Sequence, residues 1–428
     1  MREMKDSGIK WLGVIPTSWT TNKGKYLFQQ RSTKGNHIEL QLLSPTQKFG
    51  VIPQSMFEEL TTNTAVKINE KTDLMTFKTI HRGDYCISLR SFQGGFEYSL
   101  YEGVVSPAYT VFFKKGDLCN GYYKYLFKDQ SFIREMNSYT LSLRDGKNIS
   151  FDDFGNTYLP IPPLAEQETI TNYLDSKCAE IDFLISDIQS QIEALEEYKR
   201  SVITEAVTKG LDPDVEMKDS GIAWVGDVPK HWIQHPLYCY FGERKNKNIM
   251  GLETNLLSLS YGNIIRKDIN SNGGLLPESF NTYNIVENGD IIIRPTDLQN
   301  DKRSLRTGIC REHGIITSAY IAMKAIKHVS PEYFHYLLHA YDVMKVFYNM
   351  GNGVRQGLNF SEFSRLMVLE PPIEEQNAIV TYLKEKCDEI DLAISEKKQQ
   401  IETIEEYKKS LIFEYVTGKK GVETNERQ

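Results

Sequence analysis

Residues 162–208 read PPLAEQETITNYLDSKCAEIDFLISDIQSQIEALEEYKRSVITEAVT, and residues 371–417 read PPIEEQNAIVTYLKEKCDEIDLAISEKKQQIETIEEYKKSLIFEYVT. The two stretches align without a gap and are identical at 26 of 47 positions, which indicates a duplication. A second pair precedes them, because MKDSGIKWLG with Pro16 and Trp19 recurs as MKDSGIAWVG with Pro229 and Trp232. The chain therefore has the order head, variable body, long helix, written twice, and this order predicts a doubled target or partner.

Within each repeated stretch, apolar or small side chains recur at alternating spacings of four and three residues. This heptad pattern is typical of a coiled-coil helix. No glycine or proline interrupts residues 164–208, so a single helix there would be about 65 Å long. The predicted stripe contains Ile181, Ile185, Ile188, Ile192 and Leu195 in the first copy, and Ile390, Ile394, Ile401, Ile404 and Leu411 in the second.

A helix of this length can pack on its own body, or the two helices can cover each other's apolar stripes. The length favours the second arrangement, because such a helix extends beyond a domain of about 150 residues. The second helix follows a large intervening domain, so the chain is able to return. We therefore predict an antiparallel coiled coil within a pseudo-twofold internal repeat.

The composition is that of an ordinary globular protein, with 428 residues of which 40% are hydrophobic and 25% are charged. No apolar run is long enough to span a bilayer, and the first residues lack the apolar segment of a signal peptide. These features predict a cytoplasmic protein. The six cysteines show no CxxC spacing, so they are interpreted as small core residues and not as disulfides or metal ligands.

Charge is divided unequally along the chain. Residues 1–163 and 211–373 hold 37 Lys and Arg against 34 Asp and Glu, whereas residues 164–210 and 374–428 hold 13 against 23. The acidic excess therefore lies on the helices and the tail. The net charge of −7 does not argue against nucleic-acid binding by the bodies, because local patches decide that property.

Each body combines short apolar runs, typical of strands, with one predicted helix near its end. GDYCISLRSF in the first body matches GDIIIRPTDL in the second, and SPAYTVFF matches TSAYIAMK. The predicted fold class is α/β (α+β), with two mixed α/β recognition domains separated by two long helices. The predicted segments are 1–163 for the first domain, 164–210 for the first helix, 211–372 for the second domain, 373–418 for the second helix and 419–428 for a polar tail.

The two bodies share their hydrophobic frame but differ in the polar residues at strand ends, as expected if each binds a different target. Arginine pairs with guanine, Asn or Gln with adenine, and Ser or Thr with either base. These residue types occur at two matching strand exits. The candidates for base contacts are Arg90, Ser91 and Gln93 in the first body, and Arg294, Thr296, Asp297 and Gln299 in the second.

Further basic residues are candidates for DNA contact. Cations placed early in each body can hold phosphates, which position a protein on the duplex without reading sequence. The phosphate candidates are Arg31, Lys34, Arg244, Lys245 and Lys247. Gly-rich loops late in each body add Arg144 and Lys147 in the first copy, and Arg355 and Gln356 in the second.

Enzymatic motifs are missing from the sequence. The chain lacks the Asn-Pro-Pro-aromatic motif of amino-methyltransferases, the GxxxxGK[ST] phosphate loop and a Gly-rich dinucleotide turn. The segment PDVEMK at 213–218 faintly resembles a nuclease carboxylate cluster, but its acidic residues are too close together. His335 and His339 are spaced to share a metal on a helix, but no third ligand lies nearby in sequence, so we predict neither a metal site nor catalytic residues.

The ordered motifs carry a resemblance to a known family. MKDSGIxWxGxxPxxW begins each half, PPxxEQ opens each long helix, and EEYKRS or EEYKKS lies within it. Over residues 4–417 the chain resembles the specificity subunit of Type I restriction-modification systems. The resemblance implies a non-catalytic DNA-recognition subunit whose two target-recognition domains each bind one half of a bipartite DNA site. It further implies an antiparallel coiled coil that sets the spacing of the half-sites.

The resemblance also implies partners and cofactors. Two modification subunits, which bind S-adenosylmethionine and methylate adenine N6, would dock on the repeated elements. Restriction subunits that translocate and cleave DNA with ATP and Mg would join the complex, and the chain itself would bind no cofactor. Two alternatives stay open: a stand-alone DNA-binding or DNA-bridging regulator, and a coiled-coil scaffold that binds only proteins.

Overall fold

The computed structural model describes residues 2–34, 40–61, 74–87, 95–139, 149–269, 279–296, 298, 305–350 and 357–422. The chain forms two compact units, one comprising Met1–Ile188 and Gln399–Gln428 and the other Gln189–Lys398. Each unit therefore combines one body with a segment from each long helix. We refer to residues 20–161 as the first body and residues 233–370 as the second body.

The first unit is built around a four-stranded antiparallel sheet in the order β4-β11-β8-β9. Four antiparallel pairs, β1–β2, β3–β12, β5–β6 and β7–β10, surround it. Its strands are β1 (Met4–Asp6), β2 (Val14–Pro16), β3 (Thr20–Lys23), β4 (Phe28–Arg31), β5 (Leu43–Thr46), β6 (Gly50–Pro53), β7 (Lys78–Ile80), β8 (Tyr85–Ile87), β9 (Phe96–Tyr98), β10 (Gly103–Val105), β11 (Thr110–Lys114) and β12 (Tyr158–Ile161). Its helices are α1 (Gly24–Leu27), α2 (Gln54–Thr61), α3 (Asn120–Leu126), α4 (Gln130–Ser138), α5 (Phe151–Asn156) and the long α6 (Leu164–Lys209), with a 3₁₀ turn at Leu74–Thr76.

The second unit repeats this topology, with a four-stranded sheet in the order β16-β23-β20-β21 and the pairs β13–β14, β15–β24, β17–β18 and β19–β22. Its strands are β13 (Met217–Asp219), β14 (Asp227–Pro229), β15 (Ile233–Pro236), β16 (Phe241–Glu243), β17 (Leu257–Ser260), β18 (Asn263–Arg266), β19 (Asn284–Val286), β20 (Ile291–Ile293), β21 (Thr307–Ile309), β22 (Gly314–Ile316), β23 (Ile321–Ala325) and β24 (Met367–Glu370). Its helices are α7 (Pro331–Val343), α8 (Phe360–Phe363) and α9 (Ile373–Val416), with 3₁₀ turns at Leu237–Cys239 and Val346–Asn349.

The two bodies fill their cores with different side chains. In the first body, rings of Phe28, Tyr85 and Phe112 contact one another at centroid distances of 5.2–5.8 Å. In the second body, β20 is the buried run Ile291–Ile293. The aromatic core of the first body and the aliphatic run of the second both bury large apolar surfaces, and the two sheets have the same strand order. This explains why one topology tolerates such divergent sequences. The mixed α/β fold predicted from the sequence is confirmed.

The long helices run antiparallel in each unit. In the first unit, the rings of Tyr173 and Tyr415 lie 4.6 Å apart, and further along α6 Asp182 accepts a hydrogen bond from Lys408 at 2.6 Å. Partner numbers on α9 thus fall as those on α6 rise. In the second unit, Gln191 contacts Lys397, and Lys199 then contacts Asp391.

The predicted heptad stripe faces the partner helix. All ten predicted stripe residues are buried or half-buried. Lys199 and Lys408, which interrupt the apolar stripe, form ion pairs across the two helices at equivalent positions of the repeat. The coiled coil is therefore confirmed, and packing of each helix on its own body describes only the helix ends, where residues such as Ile170 and Ile379 enter the body cores.

The glutamine of each PPxxEQ motif joins the start of a long helix to its body. The Gln167 amide donates to the Pro162 carbonyl at 2.8 Å and accepts from the Cys119 backbone N–H at 2.9 Å, just before α3. Gln376 makes the matching bonds, donating to Pro371 at 2.9 Å and accepting from the Ser330 N–H at 2.9 Å. Both side chains are buried, so each amide satisfies backbone groups that water cannot reach.

The glutamate of the same motif binds the head. The buried Trp19 indole N–H donates to Glu166 at 2.9 Å, and Trp232 donates to Glu375 at 3.0 Å. Each carboxylate also contacts a second side chain. Arg2 contacts Glu166, and His231 contacts Glu375. The repeated MKDSGI…PxxW and PPxxEQ motifs are therefore two halves of one contact.

The end of the other long helix contacts both the body and the head of each unit, and the body residue that binds it is Tyr122 of α3 or Tyr333 of α7. In the first unit the Tyr122 hydroxyl donates to the Val416 carbonyl at 2.6 Å, and in the second Tyr333 donates to Val207 at 3.2 Å. Glycines with positive φ, Gly418 at 73° and Gly210 at 76°, follow these last turns. A Cβ on Gly418 would lie 2.5 Å from Pro16 and 3.0 Å from Trp19, so the glycine allows close packing on the head.

We predict that replacing the buried glutamine of either motif destabilises the chain. Gln167→Leu leaves the Cys119 N–H and the Pro162 carbonyl without partners, at a cost of about 1–3 kcal/mol for each group. Thermal or urea unfolding of the full chain measures the loss, and Gln376→Leu should behave alike. Glu168→Gln, at the exposed neighbouring position, is the control and should change the free energy of unfolding by less than about 0.5 kcal/mol.

Candidate nucleic-acid interface

The structure brings two predicted reading segments of the second body together. Strand β20 ends at Ile293, and the backbone then continues through Arg294, Pro295 and Thr296. The Leu358 N–H donates to the Pro295 carbonyl at 3.0 Å. Residues 357–358 directly follow predicted Arg355 and Gln356 in the chain. The β20 exit and the end of the Gly-rich loop are therefore neighbours, although about 60 residues separate them in sequence.

Arg31, the last residue of β4, and Arg244, directly after β16, occupy equivalent positions, and both form ion pairs inside their bodies. Arg31 donates to both Asp84 oxygens at 2.7 and 3.1 Å and lies over the Phe113 ring. Arg244 contacts Asp290 in the same way. Each aspartate also accepts a backbone N–H of its own turn, from His81 and Glu287 respectively. These contacts give both arginines a structural role, and their predicted phosphate contacts remain predictions.

The sequence contains a signal for this internal role. The signal is that the arginine and the aspartate of the pair both recur in the second copy. Arg31 and Arg244 match across the repeat, and so do the aspartates of GDYCIS and GDIIIR. Two opposite charges retained together in both copies point to an internal contact. Lone basic residues in only one copy are better candidates for binding a target.

The lysines predicted to hold phosphates lie nearer the surface. Lys34 and Lys245 are exposed and Lys247 is half-buried. Lys245 contacts Glu243 at 2.9 Å, and Lys247 donates to the Thr282 carbonyl at 3.0 Å. The remaining predicted contact residues lie outside the described residues; they are Arg90, Ser91, Gln93, Arg144, Lys147, Asp297, Gln299, Arg355 and Gln356.

The outer surface of the helix pair carries apolar residues at matching positions of the repeat. In the first unit, Phe183 is 77% exposed and Tyr407 is 59% exposed. They lie at the same level, since Phe183 follows Asp182 and Tyr407 precedes Lys408, its ion-pair partner. We call Phe183 with Tyr407 the first apolar patch.

The second unit repeats this patch with equivalent residues. Leu392 is 62% exposed and Tyr198 is 55% exposed. Leu392 follows Asp391 and Tyr198 precedes Lys199, so the same cross-helix ion pair again aligns the two residues. We call Leu392 with Tyr198 the second apolar patch. Heptad analysis of the buried stripe did not identify either patch, because these exposed residues lie outside the stripe positions.

A cleft of about 810 Å³ lies within the second unit, between α7, the β17–β18 hairpin and the long helices. His335 and His339 line it, together with the charged groups Glu196, Lys199, Arg200, Arg311, Glu312, Glu332, Asp388, Asp391 and Lys398. The first body has Lys124 and Lys128 at the two histidine positions, and Lys128 forms an ion pair with the buried Glu97 at 2.7 Å. Gly308 occupies the Glu97 position in the second body, so that ion pair is not repeated there.

Burial lowers the pKa of both histidines in the cleft. The pKa of His335 falls to about 3, with further lowering by His339 and Arg311, and that of His339 falls to about 4, with further lowering by Lys199 and Arg200. Both rings are therefore neutral near pH 7. Among the described residues, no group of three or more His, Cys, Asp or Glu side chains is arranged to hold a metal ion. None of the described helices is both long and apolar enough to cross a membrane.

Comparison with known proteins agrees with this duplicated, two-body architecture. Residues 15–194 match the model of the Type I restriction modification DNA specificity domain. The chain is 24% identical over 382 residues to the Type I restriction enzyme MjaVIII specificity subunit of Methanocaldococcus jannaschii, covering 84% of this chain and 81% of that one. It is 27% identical over 263 residues to the EcoBI specificity subunit of Escherichia coli, covering 55% of this chain and 52% of that protein.

A solved structure shares the fold. A chain from a structural study of complex assembly and conformational transition of the type I R-M system superposes with a TM-score of 0.66 at 12% identity. The likeness covers 94% of this chain and 98% of that one. The fold and the matched domain define a class of protein that carries duplicated DNA-specificity domains. Because the second half repeats the matched first half in sequence and in topology, the chain as a whole is similar to the specificity subunits of Type I restriction-modification systems.

The two neutral histidines predict an acid-sensitive second unit. Their folded pKa values lie below the usual 6.5, so the unfolded chain binds protons more tightly, and stability falls as the pH drops from about 6.5 toward 4. Each histidine contributes a slope of up to about 1.4 kcal/mol per pH unit in this window. Replacing both by glutamine should flatten the pH dependence of urea unfolding, whereas His328→Gln, at an exposed position, should leave the slope unchanged.

Proposed function

We propose that each body of this specificity subunit binds one half of a bipartite DNA site. The observation that carries this proposal is the contrast between the repeated and the divergent parts. The heads and long helices repeat several contacts at equivalent residues, among them the Trp–Glu hydrogen bond and the Lys–Asp ion pair across the helices, whereas the strand exits and Gly-rich loops of the two bodies differ in sequence. Two different reading surfaces on one repeated framework suit an asymmetric site with two specified parts and an unspecified gap.

The domain boundaries and contact residues given by the sequence belong to this proposal. Residues 1–163 and 211–372 would form the recognition domains. The β20 exit and the adjoining end of the Gly-rich loop would contribute to the reading surface of the second domain. Support comes from their adjacency through the Leu358–Pro295 hydrogen bond. The half-site centres would lie roughly one helical turn apart, about 10 bp, as for dimeric readers on one face of the duplex.

Exchange of one body tests the assignment directly. Residues 20–161 are replaced by the corresponding body of another specificity subunit, and methylated adenines are mapped across the genome at base resolution. We expect one half of the bipartite site to change and the other half, together with the gap, to persist. A change in both halves would contradict the domain assignment, and deletion of the whole chain should abolish methylation at the sites.

We propose further that the helix pair docks two modification subunits, one on each apolar patch. Exposed aromatic and large aliphatic side chains are frequent anchors of protein interfaces. Phe183 with Tyr407 and Leu392 with Tyr198 are equivalent in sequence and flank equivalent ion pairs. Two such patches suit two copies of one partner, and this equivalence explains why the helices retain similar surfaces as well as a similar apolar stripe.

Single charged substitutions should separate the two docking events. Phe183→Glu should remove one modification subunit from the complex and Leu392→Glu the other, each weakening its site at least about ten-fold, because interface anchors of this type contribute more than about 1.4 kcal/mol. Native mass spectrometry of the complex counts the bound subunits. Two retained subunits in either single variant would contradict the assignment.

The control for these variants adds the same charge elsewhere on the helix. Ala378→Glu lies at an exposed position of α9 about four turns from Leu392. It should leave both modification subunits bound. The double variant Phe183→Glu with Leu392→Glu should retain the folded helix pair, measured by its circular dichroism, while binding no modification subunit.

In this proposal the chain itself is non-catalytic and acts in the cytoplasm. S-adenosylmethionine would bind to the modification subunits, and ATP with Mg to the restriction subunits. The described residues contribute no cluster suited to a metal ion, and the sequence lacks the methyltransferase and phosphate-loop motifs. Copurification of a methyltransferase with the tagged chain separates this function from that of a stand-alone DNA-binding regulator. Unchanged mobility of target DNA with the assembled complex would favour a protein-only scaffold.

A further inference from the structure

A buried arginine holds the reading segment of the second body. Arg306 lies just before β21 and is 0% exposed. Its guanidinium donates to the Thr296 carbonyl and, at 3.5 Å, to the Arg294 carbonyl. Its own carbonyl accepts from the Arg294 N–H at 2.9 Å. One side chain and its backbone therefore fix both ends of the three-residue exit of β20.

The opposite side of the exit is fixed as well. Pro295 directs its carbonyl to the Leu358 N–H at 3.0 Å, and Leu298, two residues beyond Thr296, is buried in the main core of the unit. Three consecutive carbonyls of the exit therefore have hydrogen-bond donors. Such pairing over-determines the backbone conformation of this short segment.

Arg306 is in turn held by a network on the α7 side. Its Nε donates to the Tyr348 hydroxyl at 3.1 Å, and its guanidinium lies over the Tyr348 ring. That hydroxyl donates to Asp342 at 3.3 Å and accepts from Lys345 at 3.0 Å. Asp342, which is fully buried, also accepts the Arg306 backbone N–H. The network thus ties the β20 exit to the end of α7.

The first body has a different residue at this position. The pairing of Ile87 with Phe96 corresponds to the pairing of Ile293 with Thr307, so Gly95 is the counterpart of Arg306. Glycine has no side chain that can donate to a strand exit. A buried arginine is costly to desolvate, and its presence in one copy alone indicates a role specific to that body.

We propose that Arg306 is a positioning residue that sets the sequence specificity of the second body. It acts through the backbone of Arg294–Thr296 and does not itself touch DNA. The inference rests on the proposed function, in which this exit reads one half of the site. Base contacts discriminate only when the contacting groups are held within about 0.5 Å of their productive positions. If the backbone of Arg294–Thr296 is no longer held in place, discrimination against mismatched base pairs should fall by a larger factor than the affinity for DNA.

The test uses the assembled methyltransferase complex with Arg306→Met, which keeps the apolar stem and removes all guanidinium donors. Methylation rates are measured on DNA with the full site and on DNA with single mismatches in either half. We expect discrimination against mismatches in the second half to fall by about ten-fold, as for loss of one base contact. Discrimination in the first half should stay unchanged.

A merely structural role would give a different result. In that case methylation would slow on every sequence alike and the melting temperature would fall, while the mismatch ratios of both halves stayed constant, and this outcome would overturn the proposal. Tyr348→Phe, which removes only a hydroxyl, is the second variant if Arg306→Met fails to fold. It should relax the second half in the same direction by a smaller factor, and unchanged ratios would again refute the role.

A parallel pair of variants separates this inference from the proposed function. Arg294→Ala and Thr296→Val alter the exit itself and leave Arg306 in place. If neither changes discrimination in the second half, the exit does not read DNA, and both its assignment to the reading surface and the positioning role of Arg306 fail, whereas the exchange of a whole body still tests the bipartite site. If they change it while Arg306→Met and Tyr348→Phe do not, the reading function stands and the positioning role is refuted.

Discussion

The architecture depends on a half-buried glutamate and a buried glutamine in the first turn of each long helix. Glutamate binds the tryptophan of the head, and glutamine binds the backbone before the first helix of the body. Three segments distant in sequence therefore meet at one helix start. Few substitutions are tolerated at these positions, because an unpaired buried amide or indole N–H destabilises the folded state. This constraint accounts for the near-identity of the PPxxEQ and head motifs in both halves.

Much of this fold was predictable because duplication and periodicity are explicit in the sequence. The heptad stripe predicted which residues of α6 and α9 would be buried, and paired motifs such as GDYCIS and GDIIIR predicted a common topology. What the sequence did not supply was the pairing of polar groups. The hydrogen bonds of Gln167 and Tyr122 join residues far apart in the chain, so periodicity carries no information about them.

The candidate site was less predictable than the fold for the same reason. Arg31 and Arg244 have the residue type expected for phosphate contact, but Asp84 and Asp290 engage them internally. Arg306 lies in no motif, yet the structure places it at the centre of the β20 exit. Residue type predicts which chemistry is possible, whereas burial and distance decide whether a side chain supports the backbone or meets a target. Most residues predicted to touch bases lie outside the described part of the chain, so their contacts stay predictions.

The hydrogen bond from Tyr122 to Val416 has a consequence for biosynthesis. It joins residues 294 positions apart, and the first unit combines residues 1–188 with residues 399–428. The second unit is one continuous segment, residues 189–398, and can fold as soon as the ribosome has released it. The first unit must wait for the final helical turns of the chain. The first unit can therefore be completed only after the second unit has been synthesised.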